Sequence, residues 1–461
     1  MKKRFFVVAL LVALAPVFAI AQIEPTFTIS DPITLFPDTQ TKEAGLAVNT
    51  TEGINEVLFV TIDTIAIDVD PITGEDAAEA VFGFYYNPIT LAQIGEPFII
   101  VGNPRGSLQK LTVTYNPVNN KYFVAVAADS YSPSGARVPL MAIVNPSSES
   151  EHVFKAWAWD AETTQNYQDT AVAASTKNGN LLYVSEYSPA EDGGEGVIGL
   201  LYDMEGNLLS SGNTRLDQAA SDKIISDEDE DDPDVYYLPE NDVFLFICNT
   251  DLGDVPNRIF AEVIQPEIGS DGLLQLGEIQ IVSQLRKDFD AGHPSAVENP
   301  FTGEFIGALD YGNGSEGGDL FFFNIGGAPG YALTESQDQI PYLEAAGNNP
   351  FSQRHPRFAV DQTSGVIVVS HNARDGVFQG MAFTLLGPDG AILPGRPDDL
   401  YKLVETPTVI SNDANSHDVK WDPNSDSFLV IYATGGGLTN VVRLTVTSDH
   451  MPADIDNWMT Y

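Results

Sequence analysis

Cysteine is nearly missing from this chain of 461 residues, with Cys248 as its single copy. That excludes a disulfide framework and any thiolate zinc site. Cys248 ends the apolar run Val243-Phe-Leu-Phe-Ile-Cys248, a setting that suits a small buried residue rather than a reactive thiol. Positive charge is scarce as well: 22 Lys and Arg stand against 65 Asp and Glu, for a formal net charge of −43. A chain this acidic does not bind nucleic acid by neutralising phosphates, and an anionic membrane surface repels it. Methionine (6) is rare, and no amphipathic helix of ordinary length can be read. What is plentiful is Gly (39), Pro (29), Phe (25) and Tyr (17), a mixture suited to strands and tight turns. With 43% hydrophobic residues there is material for a core, so the acidity is not that of a disordered tail.

Long apolar runs are confined to the start. Lys2, Lys3 and Arg4 precede the uncharged run Phe5 to Ala15, and Ala19-Ile20-Ala21 forms a small-x-small cleavage site. The run is short for a span of about 20 residues. Residues 1–21 are therefore expected to be a signal peptide, and residues 22–461 a secreted or periplasmic protein without membrane insertion. No Cys follows the cleavage site, so no lipid anchor is expected. Salt would screen the self-repulsion of such a chain.

A unit recurs roughly every sixty residues. Its clearest copies begin at Asp232, His293 and His355: a short strand, a turn of the Asn/Asp-Pro-x-x-Gly type or a looser variant, then an apolar strand. Further copies begin at Glu43, Lys110, Asp169 and Ser416. Each unit has room for four strands, and none is large enough to bury a core of its own. Seven such units predict an all-β, seven-bladed β-propeller of four-stranded antiparallel blades, folding as one domain. The last unit is one strand short. The strand-like segments Pro25–Ile29 and Pro32–Phe36 are expected to complete it, so that the N-terminus closes the ring.

The repeat, roughly Pro-x-Val-Ala-x-Asn-Pro, a Gly turn, an aromatic–aliphatic strand and a later Asp-Gly turn, resembles that of secreted and cell-surface bacterial β-propellers over residues 24–449. There is no repeated Trp-Asp pair, no Gly-Gly pair at blade starts and no Ser-x-Asp-x-Gly-x-Thr-Trp box of the sialidase kind. The resemblance implies the architecture and leaves activity open, because one fold hosts many functions.

Strand alternation places the loops before the first strand and after the second on one face of the disc. These are long and varied, as at Ala128–Arg137 and Ala219–Asp232, which marks that face as functional. The seven first positions ring the channel mouth there. Among them His293, His355 and Asp232 are candidates for acid–base chemistry. His417 is one residue out of step and is expected to point the other way, so a three-histidine metal site is not expected. Lys110, Asp169, Arg354, Arg357, His371 and Arg374 are candidate ligand contacts, some of them a positive island that would suit a carboxylate or sulfate. Tyr187 and Tyr311 could stack on sugar rings, as could Tyr131. The acidic run Ser226–Asp234 could hold calcium through Asp229, Asp232 and Asp251, although it lacks EF-hand spacing. No serine-nucleophile, phosphate-loop or dinucleotide motif is present. Two functions compete: an exported monomer binding an extracellular glycan or surface protein, and a polysaccharide lyase or glycosidase with its site at the channel mouth.

Overall fold

Second and third strands such as Val57–Asp63, Val138–Val144 and Ser427–Ala433 are buried at every position. Continuous burial requires cover on both faces, and a sheet wedged between two others supplies it. The computed structural model has this arrangement. It describes residues 26–447 apart from 37–40, 64–71, 73, 75–77, 161–162, 189–195, 211–213, 216–229, 253–254, 278–279, 282–289, 313–317, 327–332, 336–351, 375–378, 389, 391–392, 394–400, 406–416 and 435–436. Seven antiparallel sheets are formed by successive segments of the chain. The inner strands are Thr41–Val48, Leu108–Asn116, Asn166–Ala174, Glu230–Leu238, Asp290–Glu298, Ser352–Val360 and His417–Asp422.

The turns after the inner strands explain why the repeat is legible. The Asn116 Oδ1 accepts a hydrogen bond from the Val118 N–H, Asn299 from Phe301, Asp361 from Thr363 and Asp422 from Asn424, at 2.8 to 3.2 Å. Asn49 does the same for Thr51, and the Ser175 hydroxyl for Lys177. A short polar side chain thus builds each of these six turns from within the turn.

Ring closure is as expected. Thr26–Ile29 pairs with Leu444–Thr447, and Ile33–Phe36 pairs with the other end of the same strand. Blade 7 therefore has four strands from the two ends of the chain plus a short fifth pairing. Seven apolar clusters fill the seven seams between blades. One of them joins Leu46, Phe59 and Phe84 of blade 1 to Leu429 and Ile431 of blade 7 across the closure. Within blade 5, Gly307 lies under the ring of its cross-strand partner Phe323, where any side chain would collide. Cys248 is buried, as its sequence setting implies. Among the described residues no helix is long and apolar enough to cross a membrane.

Candidate functional site

The first positions of the repeat coincide with β-bulges. Pairing between inner and second strands skips two residues at Lys42-Glu43, Lys110-Leu111, Gln168-Asp169, Asp232-Pro233, His293-Pro294 and His355-Pro356. Lys110, Asp232, His293 and His355 take φ of 50° to 61°, the left-handed region that a side chain disfavours. Ser416 lies outside the described residues.

A bulge leaves backbone donors without a ladder partner, and here the preceding blade satisfies them. The Lys110 and Leu111 N–H groups donate to the two Glu43 carboxylate oxygens, at 2.8 and 2.6 Å. The His293 N–H donates to Asp232 Oδ2 at 3.0 Å. The Lys110 ammonium pairs with Asp169 at 2.5 Å. His293 Nε2 is 3.4 Å from Asp232 Oδ1, and its ring meets that of His355 edge-on with centroids 4.3 Å apart. His355 is 2% exposed, and its Nδ1 lies 3.4 Å from the Asn372 amide. The expected convergence of Asp232, His293 and His355 from three blades is thus present, and its hydrogen bonds run from blade to blade.

Positions two further along form a second belt. Side chains at the odd positions lean toward the next blade: Tyr236 accepts from the Ala296 N–H at 2.8 Å, and Asp418 from the Leu46 N–H at 3.4 Å. Side chains at the even positions lean back, as Thr170 does in donating to the Lys110 carbonyl at 2.6 Å. His417 is on an even position. Its ring sits against the backbone of Ser370 and His355, and neither ring nitrogen makes a hydrogen bond of normal geometry. Burial, with the Arg357 charge, pushes His417 down to about 3, and burial pushes His371 down to about 4. Both imidazoles are neutral at ordinary pH. Among the described residues, no group of three His, Cys, Asp or Glu side chains is placed to hold a metal.

The second belt lines a central channel with a cavity of about 640 Å³. Exposed turn residues, among them Pro239, Pro300 and Pro423, line it too, so it opens on the face of the short turns. The wall is chemically divided. Blades 1 to 3 present small residues in the second belt, Gly45, Ala47, Thr112, Thr114, Ala171 and Ala173, with Leu111, Tyr115 and Asp169 also lining the cavity. Blades 4 to 7 present Asp234, Tyr236, Arg357, Asp418 and Lys420. The Tyr236 hydroxyl bonds Asp234, and Lys420 Nζ donates to Asp418 at 3.0 Å. Burial raises the Asp234 carboxyl despite the opposing charges of Arg357 and Lys420. Tyr236 and Lys420 escaped the sequence reading. They stand two places beyond Asp234 and Asp418, and the same alternation would have found them.

A second concavity lies on the loop-rich face between blades 2 and 3. It encloses about 380 Å³ and is lined by Asp129, Ser130, Gly135, Arg137, Asn166, Gln168 and Ser188. The Arg137 N–H donates to Asn166 Oδ1 at 3.0 Å, its Nη1 to Gln168 Oε1 at 2.9 Å, and its Nε to Asp129. Gln168 Nε2 in turn donates to Glu186 at 2.7 Å. Only the loops Ala128–Arg137 and Ser188–Gly196 were within reach of the sequence reading, and Asn166 and Gln168 were not, because amides carry no charge pattern.

Other expected residues fall as follows. Tyr187 and Tyr131 are 5% and 7% exposed, so neither offers a ring for stacking; they belong to the apolar clusters of the seams between blades 2 and 3 and between blades 1 and 2. The basic residues of the loop-rich face, Lys42 and Arg105 as well as Lys110, are engaged where they are described: Lys110 pairs with Asp169, Lys42 with Glu79, and Arg105 donates to the Tyr131 carbonyl. Arg354, Arg374, Tyr311 and Asp251 lie on strands, and their side chains are outside the described residues, as is Asp229 altogether. His371 is fully buried in the second strand of blade 6.

No protein-family model matches the chain, and no curated protein is similar to it in sequence. Among solved structures the chain is similar to the Dos1 propeller, at 9% identity and a TM-score of 0.44 over 90% of this chain and 95% of that one. It is similar to a thermostable family-43 glycoside hydrolase at 10% identity and a TM-score of 0.37, over 66% and 99% of the two chains. It is also similar to a leech intramolecular trans-sialidase at 9% identity and a TM-score of 0.42, over 88% and 68%. None of these similarities bears on activity.

Proposed function

We propose that the protein is an exported, non-catalytic β-propeller that recognises an extracellular glycan through the cleft between blades 2 and 3. The observation that carries this reading is the chemistry of that cleft. Asn166, Gln168, Arg137, Asp129 and two serines offer planar amide, guanidinium and carboxylate groups together with hydroxyls, at half-exposed or exposed positions. Sugar hydroxyls need closely spaced donors and acceptors of this kind, held by bonds among themselves. The groups suited to acid–base catalysis are engaged elsewhere: Asp232 caps the next bulge, and His355 is buried in a seam. Export is supported by the charged start and apolar run of residues 1–21.

The test is a screen of purified protein against neutral and acidic polysaccharides, reading both retention and release of reducing ends or unsaturated products. Retention without turnover, lost in Gln168→Ala and Asn166→Ala and kept in His293→Ala, is the expected result. Turnover that disappears in His293→Ala would establish instead the lyase or glycosidase reading, and retention untouched by both cleft substitutions would move the site off this cleft.

A further inference from the structure

The cleft between blades 2 and 3 carries an inference that rests on the glycan reading above and sharpens it. We infer that its ligand is an uncharged glycan bearing acetyl groups, and that the acetyl carbonyl is the acceptor the cleft selects, taken up by Arg137 Nη2 and Asn166 Nδ2.

Three observations converge. The first is an excess of donors. The carboxylate and amide oxygens that line the cleft already receive bonds within the protein. Asp129 Oδ1 accepts from Arg137 Nε and, at 3.2 Å, from the Gln109 amide, and its Oδ2 accepts from the Ser107 hydroxyl at 2.6 Å. Asn166 Oδ1 accepts from the Arg137 N–H, and Gln168 Oε1 from Arg137 Nη1. Whole donor groups are left over: Arg137 Nη2, Asn166 Nδ2 and the hydroxyls of Ser130 and Ser188 make no hydrogen bond among the described residues. Asn166 and Ser130 are exposed, and Arg137 and Ser188 half-buried, so a ligand can reach all four. Such a face calls for a ligand that brings acceptors. The second observation is charge. Arg137 is the one cation lining the cleft; it touches Asp129, and the Gln168 amide joins it to Glu186, which is 2% exposed. Arg105 is turned away to the Tyr131 carbonyl. One cation bonded into a network with two carboxylates, in a chain of net charge −43, disfavours a uronate or sulfate as the source of those acceptors. Neutral acceptors remain. A sugar hydroxyl accepts but also brings a donor, and the acceptors here are occupied; an acyl carbonyl takes two donors and brings none on the same atom. The third observation is room. Gly135 lines the cleft with φ of 86°, and a Cβ built on it would meet nothing within 4 Å. That space beside bare backbone admits the acetyl methyl, and the volume of about 380 Å³ is within the range of small-molecule sites.

The experiment measures the affinity of the purified protein for matched pairs of probes by titration calorimetry. Chitohexaose is compared with cellohexaose, which has hydroxyls in place of the acetamido groups, and O-acetylated xylan with the same xylan after deacetylation; polygalacturonate is the anionic probe. The expected result is binding of at least one acetylated probe, about tenfold or more tighter than its unacetylated partner, and no binding of polygalacturonate. The pair that responds identifies an amide or an ester as the source of the carbonyl. Arg137→Ala should abolish the preference but could loosen the loop it ties to Asp129. Asn166→Asp therefore carries the test: at an exposed position it keeps the oxygen that accepts from the Arg137 N–H and replaces the Nδ2 donor by an acceptor. It should weaken binding of the acetylated probe about tenfold and leave melting unchanged. Equal affinity within both pairs, or tighter binding of polygalacturonate, would overturn the inference and leave the cleft a glycan site. Wild-type affinity for the acetylated probe in Asn166→Asp would overturn it as well. So would a lack of binding to both acetylated probes; the glycan reading itself falls only if the wider polysaccharide screen also shows no retention.

Discussion

Two belts of residues circle the axis of this propeller, one at the bulges and one a strand-step inward, and their polar atoms have different partners. At the bulges, Glu43 and Asp232 reach the next blade and accept from its backbone, and the N–H groups they bind are those the distorted ladder cannot satisfy. In the inner belt, Asp234, Arg357 and Lys420 face an open cavity and influence one another across it. The same repeat thus supplies a belt that lines the channel and a belt that ties the blades, separated by the two-residue alternation of a strand. Carboxylates in the first are structural and should be costly to lose, whereas small residues in the second can be exchanged at little cost.

The sharpest way to break the comparison is to open the ring on which both belts depend. Deleting residues 22–36 removes both N-terminal segments paired with the last strand of blade 7, and exposes an apolar seam whose burial contributes about 25 cal/mol per Å². The truncated protein should melt far below the protein that keeps residues 22–36 and aggregate; equal melting would show that closure contributes nothing. Next in size is Glu43→Gln. Glu43 is 1% exposed and accepts two backbone donors, so replacing it should cost about 2–3 kcal/mol, since hydrogen bonds to charged groups are the strong ones. Denaturant unfolding measures it, and a loss no larger than that of a surface substitution would remove the bulge belt from the structural account.

A smaller effect separates geometry from contact at His355. His355→Ala loses the edge-on ring packing and keeps the positive φ, while His355→Gly loses the packing and relaxes the backbone. The glycine variant should be the more stable of the two by about 1 kcal/mol, the usual cost of the left-handed region for a side chain. The opposite order would mean that the bulge is not strained.

The last effect is read in pH. His417 and His371 are held neutral in the fold, at about 3 and about 4, against an ordinary value of 6.5. Between 6.5 and those values the unfolded chain binds more protons than the folded one, so stability falls as pH falls. Each such histidine contributes a slope of about 1.4 kcal/mol per pH unit. The raised Asp234 carboxyl acts in the opposite sense, because it holds its proton longer in the fold. Comparing wild type with His417→Gln isolates one histidine: the variant should lose less stability between pH 6.5 and pH 5, and parallel profiles would refute the assignment.

Much of the fold was legible because its signals are local. An Asn, Asp or Ser that folds back on its own turn acts within three residues, so the turn after each inner strand marks the repeat wherever it occurs. Continuous apolar second strands report burial on both faces, and the missing strand of the last unit pointed to the N-terminal segments. His417 was correctly set apart from the bulge histidines by counting back from its turn. The bulges themselves were invisible, because skipped pairing is a relation between two strands. Tyr187 and Tyr131 misled because an aromatic at a strand end is equally compatible with stacking outward and packing inward, and the apolar seam with the neighbouring blade decides.

Sequence by itself therefore determined the number of blades, the place of the turns and the means of closure, since each depends on residues close together in the chain or on a simple count. Only tertiary structure decided what the polar residues do. Glu43 meets the backbone of Lys110, and Asp234 feels Arg357 and Lys420, across whole blades of intervening chain. A propeller brings such positions together at its axis, and the balance among burial, charge and backbone bonding there is set by neighbours that no local pattern reveals.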